Sequence, residues 1–270
     1  MRLIYFSRDY TTHDHRFLAA IADAGHDVYY LKLERADRQL EDRPVPSRVE
    51  QVQWSGGRGP FRWRDVPRLV LDLKRVLRDV KPDLVHAGPI QTCAFIAVLS
   101  GFRPVLTMSW GFDLMEEVDK SRWMERITRY VLRNSTYFMS DANVTRDKAV
   151  AVGMNPERTV VFPWGVDLER FKPSIASRQP STGFTLFCNR SWEPRYGVDV
   201  LAQAFVQVAQ QREDVNLMLL NSGSQGSLIR RILMSGGVLD RVHFGGQISQ
   251  TDLPNWYHMA DLYISPAHVD

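Results

Sequence analysis

The chain has 270 residues and a mass of 31.1 kDa, a length that fits two domains better than one. Hydrophobic residues make up 44% and charged residues 24%, a composition that supports packed cores and excludes a disordered chain. The 34 basic and 31 acidic residues leave a net charge of only +3, which argues against a dedicated nucleic-acid-binding protein.

The first part of the chain alternates short strands with amphipathic helices. The predicted strands are β-branched or aromatic runs at 3–6, 27–33, 49–54, 83–87, 104–108, 136–140 and 158–162. Apolar residues at helical spacing predict three buried helix faces: Phe17, Leu18, Ile21 and Ala22; Val66, Leu69, Val70, Leu73 and Leu77; Trp123, Ile127, Tyr130 and Val131. Gly25 is a predicted left-handed cap after the first helix. This alternation predicts a parallel sheet covered by helices on both faces.

A stretch with three prolines, residues 163–183, separates this part from the next and predicts a connector. Alternation then restarts, with strands at 184–189, 216–220, 241–245 and 261–266 and helices near 197–209, 224–234 and 253–259. We predict an α/β fold of two Rossmann-like, doubly wound domains, 1–163 and 183–270, joined by a connector at 164–182. Four strands are fewer than such a domain usually has, so the second domain is expected to be incomplete at its C-terminal end.

The cysteines and the apolar runs bear on the compartment. Cys93 and Cys188 lie far apart in apolar segments and lack metal-ligand spacing, so both are predicted to be buried and unpaired, as is typical of a reducing cytoplasm. A predicted strand follows Met1 at once, in place of a leader. The longest apolar run, 93–99, is far shorter than the roughly 20 residues that span a bilayer. We expect a cytoplasmic protein.

The most informative segment is 188–205, where an arginine ends the first strand of the second domain and a glycine opens the next helix. Ligands of open α/β sheets bind at the carboxyl ends of the strands. The helix start after Gly197 offers unpaired N–H groups, and Arg190 adds a planar, permanent positive charge, so together they suit a diphosphate. Such a cation also stabilises the charge that develops on a departing nucleoside diphosphate. The alternative is a surface arginine in a salt bridge.

This segment resembles the family 4 retaining glycosyltransferases of the GT-B fold, and the resemblance covers essentially the whole chain. Further segments resemble family motifs in the family's order: the connector (163–173), a glycine-containing turn facing the donor (222–224), the turn beneath the nucleotide base (242–249) and the strand before a pair of acidic residues (260–270). The resemblance implies that Arg190, Gly197, Gly223, Gln247 and Asp270 contact the donor. Gln247 would do so through its backbone, and Asp270 would be the first acid, with the second beyond the last residue.

Two positions depart from the family's pattern. Tyr196 stands where the family has a lysine, and Arg195 beside it is our candidate for the missing positive charge at the donor. Residues 107–113 resemble the segment beside the reacting sugar, with Trp110 in place of a histidine. The resemblance implies catalytic roles for Arg190, Trp110 and Asp113, and a retaining front-face mechanism needs no strong protein base. The alternatives are a core-edge aromatic for Trp110 and a cap of the next segment for Asp113.

The loop after the first strand carries His13 and His15, where many family members have paired glycines. Together with Asp9 or Asp14 the histidines invite a metal interpretation, but no third imidazole accompanies them and the family's catalysis needs no metal. We predict no metal and no cofactor, with the nucleotide sugar as a co-substrate. Thr12 or Asp14 is the predicted helix N-cap, and His13 is our candidate for contacting the acceptor.

The stretch 54–78 is basic and aromatic, with seven basic residues against Asp65 and Asp72. Many members of the resembled family act on lipid-linked acceptors, and a surface of this kind gains affinity for anionic membrane from its cations and tryptophans. The alternative is a solvated helix whose apolar face packs on the sheet. Anionic membrane is therefore a predicted peripheral partner of this stretch, which would place the protein at the inner face of the membrane.

The sequence predicts a retaining glycosyltransferase that moves a hexose-type sugar from a UDP- or GDP-sugar to a saccharide or lipid-linked saccharide, in cell-envelope polysaccharide synthesis, with no nucleic-acid partner. Because the second acid is not among the 270 residues, we expect the chain alone to be inactive. The competing hypothesis is a non-catalytic, truncated module that binds sugar or nucleotide, or a subunit of a larger assembly. A sugar-nucleotide epimerase or a phosphorylase would use the same fold, but no cofactor-lysine segment of a phosphorylase is visible.

Overall fold

The structure is a computed structural model that describes residues 1–35, 41–173 and 183–268. The chain divides into two compact units, Met1–Gly165 and Val166–Asp270, and each is described by itself. Residues 174–182 of the predicted connector lie outside the described residues, as does Asp270. The predicted domain limits therefore stay predictions.

The described part of the first unit contains seven parallel strands in the spatial order β3-β2-β1-β4-β5-β6-β7. They are β1 (Arg2–Ser7), β2 (Asp27–Lys32), β3 (Val49–Gln51), β4 (Leu84–Ala87), β5 (Val105–Met108), β6 (Tyr137–Ser140) and β7 (Thr159–Val161). The order reverses between β1 and β4, the kind of switch point at whose carboxyl end ligands bind. Every predicted strand of this half is present, although the one at 49–54 is shorter.

Helices cover both faces of this sheet. They are α1 (Thr12–Asp23), α2 (Val66–Val80), α3 (Phe95–Leu99), α4 (Phe112–Met115), α5 (Arg122–Asn134) and α6 (Asn143–Val152). The apolar side of α1 packs with Tyr5 and Tyr30 on one face, whereas α2, α3, α5 and α6 pack on the other with Ile4 and Phe6. The predicted buried faces of α1 and α2 are confirmed.

The predicted buried face of α5 is wrong in part. Ile127 and Val131 are buried, but Trp123 is 58% exposed and Tyr130 is 42% exposed. The buried side of this helix is centred on Ile127, Thr128 and Val131, and the two aromatic residues lie at its margin. The apolar arc is therefore wider than the area that the neighbouring elements cover.

The N-cap of helix α1 lies one residue before the earlier of the two predicted caps, Thr12. Thr11 is the N-cap, and the carboxylate of Asp14 accepts hydrogen bonds from the Thr11 backbone N–H at 2.8 Å and hydroxyl at 2.6 Å. This is a capping box, in which the third helical residue reciprocates the cap. Neither Thr12 nor Asp14 is the N-cap, so that prediction is wrong. Gly25 has φ +83°, which confirms the predicted left-handed position.

The described part of the second unit repeats the same design with four parallel strands in the order β10-β9-β8-β11. Its elements are β8 (Phe184–Cys188), α7 (Val198–Gln211), β9 (Val215–Leu220), α8 (Gly226–Ser235), β10 (Val242–Gly246), α9 (Leu253–His258) and β11 (Leu262–Tyr263). The switch point lies between β8 and β11. The predicted strand at 261–266 is shorter, since only two residues pair with β8.

The positions of the two cysteines confirm the prediction that both are buried. Cys93 and Cys188 are both fully buried and unpaired. Within the described ranges, none of the helices has the length and apolar character that crossing a membrane requires.

Candidate active site

The loops that follow β8 and β9 are bound to each other at the carboxyl edge of the second sheet. The Trp192 backbone N–H donates to the Ser222 carbonyl at 3.1 Å, and its buried indole N–H donates to the Leu220 carbonyl at 2.9 Å. In return, the Trp192 carbonyl accepts from the Gln225 N–H at 2.9 Å. One buried side chain therefore fixes the relative position of two loops at this edge.

Gly223 lies where these two loops come closest. A Cβ at this position would stand 2.4 Å from the Trp192 carbonyl oxygen and 2.7 Å from a carboxylate oxygen of Glu193. That carboxylate accepts hydrogen bonds from the Ser224 N–H at 3.0 Å and from the Ser224 hydroxyl. Any larger side chain at position 223 would clash with these two oxygen atoms, so the turn at 222–224 requires glycine there.

Arg190 stands at the switch point of the second sheet. It follows β8, is half-buried, and donates from Nε to the Ser265 hydroxyl at 2.8 Å, in the segment that follows β11. Its guanidinium carbon also lies 5.9 Å from the centre of the Tyr196 ring. The hydroxyl and the ring hold the guanidinium between the ends of the two strands that border the switch point, where ligands of this architecture bind.

Arg195 adds a second cation beside the same ring. Its guanidinium carbon is 5.9 Å from the Tyr196 ring centre, the same distance as that of Arg190. Cations are attracted to aromatic faces within about 6 Å. At the position where the resembled family has a lysine, Tyr196 thus provides an aromatic ring that supports two guanidinium groups.

Helix α7 begins beside this pair of cations. Gly197 is its N-cap, with φ +60°, and a Cβ there would stand 2.4 Å from the Pro266 carbonyl oxygen. The His268 N–H donates to the Arg195 carbonyl at 2.9 Å, which ties the segment after β11 to the start of α7. The first N–H groups of a helix have no partner within it and carry partial positive charge, so they suit an anion.

The structure thus brings together four of the predicted donor residues: Arg190, Arg195, Tyr196 and Gly197. Gly223 lies on the adjoining loop, while Gln247 is exposed just after β10, at the same edge of the sheet. Asp270 lies outside the described residues. Their contacts with a donor stay predictions.

The predicted catalytic residue Asp113 is fully buried in the first unit. Its carboxylate accepts from the Ser109 hydroxyl at 2.5 Å, the Ile90 N–H at 3.1 Å and the Trp110 N–H at 3.2 Å. Burial raises the pKa of Asp113 to about 6, against the lowering effect of these hydrogen bonds. The side chain joins the loop after β5 to the segment after β4, and this geometry supports a positioning role for it.

Trp110 and His13, the predicted acceptor-side residues, belong to one aromatic cluster with Trp164. The ring centres of His13 and Trp164 are 4.7 Å apart, those of Trp110 and Trp164 5.3 Å, and those of His13 and Trp110 5.8 Å. His13 Nδ1 lies 2.6 Å from one terminal nitrogen of Arg16, and the other terminal nitrogen of Arg16 donates to the Gly165 carbonyl. Trp164 was not predicted to be a site residue, because it lies in the proline-containing stretch that was interpreted only as a connector.

A group of buried polar side chains lies beneath this cluster. His86 is 3% exposed, its Nε2 has no hydrogen-bond partner in the structure, and burial lowers its pKa to about 4. Its ring packs edge-on against Tyr5 at 5.0 Å. The Tyr5 hydroxyl donates to Asp14 at 3.0 Å, and burial raises the pKa of Asp14 to about 6. The sequence carried no signal for His86, a single histidine within a predicted strand.

His13 and His15, which were predicted to lie on the loop after the first strand, are in the first turn of α1 and have different neighbours. His13 contacts Arg16 and Trp164, whereas His15 Nδ1 lies 2.7 Å from the Tyr10 hydroxyl. In the part of the chain that the structure describes, no group of three or more His, Cys, Asp or Glu side chains could hold a metal ion.

One aromatic residue of the predicted membrane-contacting stretch, 54–78, is not at the surface. Trp54 is only 4% exposed, and its indole N–H donates to the Lys32 carbonyl at 2.8 Å. Its ring packs edge-on against Phe6 at 5.2 Å. Trp54 is therefore a core residue and cannot contact a membrane, which corrects this part of the prediction. Trp63, by contrast, is 39% exposed.

Two units, each a parallel α/β sheet whose strand order reverses at a switch point, are the architecture of the GT-B glycosyltransferases. The sequence pattern of the family described as "Glycosyltransferase Family 4" matches residues 11–170, more than half of the chain, and that of "Glycosyl transferases group 1" matches 183–269. The chain belongs to the family 4 glycosyltransferases.

Several curated relatives are named as mannosyltransferases. A GDP-mannose-dependent monoacylated alpha-(1-6)-phosphatidylinositol monomannoside mannosyltransferase of Corynebacterium glutamicum is 34% identical over 40% of this chain and 30% of its own. A GDP-mannose-dependent alpha-(1-6)-phosphatidylinositol monomannoside mannosyltransferase of Mycobacterium tuberculosis is 27% identical over 68% of this chain and 49% of its own. The chain thus matches half or less of the length of these relatives.

Solved structures share the fold. HepE from Anabaena, in complex with UDP and glucose, aligns with a TM-score of 0.75 at 18% identity, over 99% of this chain and 74% of its own. Sucrose-phosphate synthase from Thermosynechococcus elongatus aligns with a TM-score of 0.75 at 16% identity, over 99% of this chain and 76% of its own.

Proposed function

We propose that the protein transfers a sugar from a nucleoside diphosphate sugar to an acceptor hydroxyl, with retention of configuration and without a metal. The observation that carries this proposal is the position of Arg190, held by the Ser265 hydroxyl at the β8–β11 switch point, beside the start of α7. Family membership supports the reaction class. A fixed cation and helix N–H groups at one edge suit the diphosphate of such a donor.

Each donor contact has an assigned role in this proposal. Arg190 and the first N–H groups of α7 bind the diphosphate, and Arg195 supplies the charge that a lysine supplies in the resembled family. Tyr196 holds both guanidinium groups in place. Gly197 and Gly223 allow backbone to approach the donor, while the Gln247 backbone contacts the base, and Asp270 contacts a donor-sugar hydroxyl.

The reaction moves one glycosyl group. The bond between the anomeric carbon and the diphosphate oxygen breaks, and a bond between that carbon and the acceptor oxygen forms on the same face. The acceptor's proton passes to a phosphate oxygen of the leaving group, so no strong protein base is required. The positive charge of Arg190 is aimed where negative charge develops, and removing one such donor typically costs 100-fold to 1000-fold in rate.

The acceptor side of the proposal rests on the first unit. Trp110 and His13 are assigned to the acceptor, and Asp113 is assigned the positioning of Trp110 through the hydrogen bond to its backbone N–H. Tryptophan offers a broad apolar face for a sugar or cyclitol ring. The acceptor class is a saccharide or a lipid-linked saccharide, as the names of the mannosyltransferase relatives suggest.

The donor class follows from the same relatives. Both are named as GDP-mannose-dependent, so GDP-mannose is the proposed donor and UDP-sugars are the alternative. The cytoplasm is the proposed compartment, because both cysteines are buried and unpaired.

A donor panel tests the proposal. Full-length protein is incubated with radiolabelled GDP-mannose, UDP-glucose or UDP-galactose, with and without chelator, and both transfer and donor hydrolysis are measured. We expect turnover of GDP-mannose that chelator does not reduce, and product whose anomeric configuration matches the donor's. Donor binding without turnover of any sugar would instead identify a binding module, and absence of both would refute the proposal.

A further inference from the structure

Asn189, the residue between the end of β8 and Arg190, has its side chain held from two sides. Its amide nitrogen donates to the Tyr257 hydroxyl at 3.2 Å, and its amide oxygen accepts from the Tyr263 hydroxyl at 2.8 Å. Tyr257 lies on α9 and Tyr263 on β11, which come 68 and 74 residues later in the chain. The side chain of Asn189 therefore joins the end of β8 to a helix and a strand that are distant in the sequence.

The peptide group between Asn189 and Arg190 is fixed as well. The Asn189 carbonyl accepts a hydrogen bond from the side-chain amide of Asn221, which follows β9. Asn221 has a left-handed φ of +66°, and its backbone N–H donates to the Gly246 carbonyl at 2.6 Å, at the end of β10. Asparagine is one of the few residues besides glycine that adopt this conformation readily. Through Asn221, the peptide that carries Arg190 is tied to the ends of two further strands.

The alternation of side chains along β8 relates the direction of Asn189 to that of Arg190. Successive side chains of a strand point to opposite faces of the sheet. Phe187 packs with Tyr257 on the face that α9 covers, and Asn189, two residues later, contacts the same tyrosine. Arg190 points the other way, toward Tyr196 and the start of α7. Holding Asn189 toward α9 therefore directs the guanidinium toward the place where the diphosphate is proposed to bind.

Tyr257 is itself held in place by packing. Its ring lies edge-on to Phe187, with ring centres 5.0 Å apart, and edge-on to Phe171, with ring centres 5.9 Å apart. The next residue, His258, has its Nε2 2.8 Å from the Lys172 carbonyl. Burial raises the pKa of Tyr257 to about 12, so its hydroxyl stays uncharged. A hydroxyl on a ring fixed in this way orients a neighbouring amide before any ligand binds, which reduces the entropic cost of binding.

We propose that Asn189 is a positioning residue for Arg190, and that the Tyr257 hydroxyl holds Asn189 in the orientation that this role requires. The role rests on the proposed function, in which Arg190 meets the diphosphate of the donor. Asn189 does not touch the donor but fixes the backbone from which the guanidinium extends. The distance from guanidinium to diphosphate is thereby set in advance, and a misplacement of about 1 Å at such a contact can cost about 100-fold in rate.

Nucleotide binding tests this role without turnover. Titration calorimetry gives the Kd of GDP and of UDP for the full-length wild type, Asn189→Ala and Tyr257→Phe. For the nucleotide that binds the wild type, Asn189→Ala should raise the Kd about tenfold, and with the matching donor it should lower kcat/KM about 10-fold to 100-fold. Tyr257→Phe keeps the packed ring and loses one hydrogen bond, so it should raise the Kd about threefold.

The variant Arg190→Ala separates positioning from a general structural role. In that background, Asn189→Ala should change the Kd by less than about twofold, because the group that it positions is gone. A residue that only stabilises the loop would cause the same loss with and without Arg190. Asn216→Ala is the matched control, since Asn216 is exposed at the start of β9, at the opposite edge of the same sheet, and this variant should bind nucleotide as the wild type does.

Two results would overturn the positioning role while the wild type binds nucleotide: an unchanged Kd in Asn189→Ala and Tyr257→Phe, or equal losses with and without Arg190. Circular dichroism and urea unfolding show whether each variant is folded. If Asn189→Ala does not fold, Tyr257→Phe in the wild-type and Arg190→Ala backgrounds gives the same comparison. Failure of the wild type to bind either nucleotide would instead refute the proposed function.

Discussion

The two sheets end in carboxyl edges of opposite chemical character. Beyond β8 and β11, the half-buried cations Arg190 and Arg195 are supported by a ring and a hydroxyl. Beyond β1, β4 and β5, the carboxyl groups of Asp14 and Asp113 are fully buried and aromatic rings lie around them. Both sheets reverse strand order at the corresponding place. The fold therefore supplies the same edge twice, and under the proposed function the loops alone decide whether an edge binds the diphosphate of the donor or the acceptor.

The largest effect is expected from removing the positive charge at the carboxyl edge of the second sheet. Arg190→Ala should lower kcat/KM about 100-fold to 1000-fold, because a fixed cation is lost where the diphosphate departs. Arg195→Ala should act mainly on the KM for the donor. Arg212→Ala is the matched control, since Arg212 pairs with Asp214 in an exposed ion pair away from this edge. Steady-state kinetics with the active donor decide it. Full activity of Arg190→Ala would end the anion assignment.

The close approach at the start of α7 can be tested next. Gly197→Ala combines a left-handed φ of +60° with a Cβ 2.4 Å from the Pro266 carbonyl, whereas Gly237→Ala has φ +67° and open space. We expect the strain common to both to cost about 1 kcal/mol of unfolding free energy. The clash at Gly197 should add about 1–3 kcal/mol. Urea unfolding measures both. Equal losses in the two variants would mean that the Pro266 segment does not press on the helix start.

At the carboxyl edge of the first sheet, we expect a smaller, pH-dependent change in the free energy of unfolding. The pKa of buried His86 is lowered to about 4, below its unfolded value near 6.5, so the unfolded chain takes up the proton first. This contribution to stability is present above pH 6.5 and is lost as the pH falls toward 4. The variant His86→Phe has no imidazole to protonate, so it does not lose this contribution. The free energy of unfolding of the variant, relative to that of the wild type, should therefore be about 2 kcal/mol higher at pH 5 than at pH 7.5.

Denaturant unfolding of wild type and His86→Phe at both pH values measures this difference. The carboxyl groups of Asp14 and Asp113, whose pKa values are raised to about 6, contribute stability that is lost as the pH rises through 6. This pH dependence is opposite in sign to that of His86. The difference between variant and wild type cancels that contribution, because both proteins keep the two carboxyl groups. The same gain at pH 5 and pH 7.5 would contradict the assigned protonation of His86.

Much of the fold could be predicted because its signals are local. Strand residues alternate with helical spacing over short windows, and every predicted strand is present. The proposed donor-binding group Arg190–Gly197 could also be located, since its residues lie within eight positions of one another in the sequence. Their neighbour Ser265 could not, because it is 75 residues from Arg190 and meets it only across the β8–β11 pair.

The aromatic residues were the hardest to place. Trp54 was expected at the surface and is buried against Phe6, whereas Trp123 and Tyr130 were expected inside and are exposed. Trp164 lies in a stretch that predicted a connector, yet it packs on His13 and Trp110. A tryptophan satisfies the apolar pattern of a helix or strand in either position, so the pattern cannot tell which sides of an element its neighbours will cover.

By itself, the sequence determined the order of strands and helices along the chain, the two-domain α/β class and the arginine and glycine that mark the proposed donor edge, because these depend on residues close in the chain. The tertiary structure decided which aromatic rings are exposed, which carboxyl groups are buried and which hydroxyl holds Arg190. Those outcomes depend on contacts between segments far apart in the chain, and such contacts form only when the sheets bring their strand ends to a common edge.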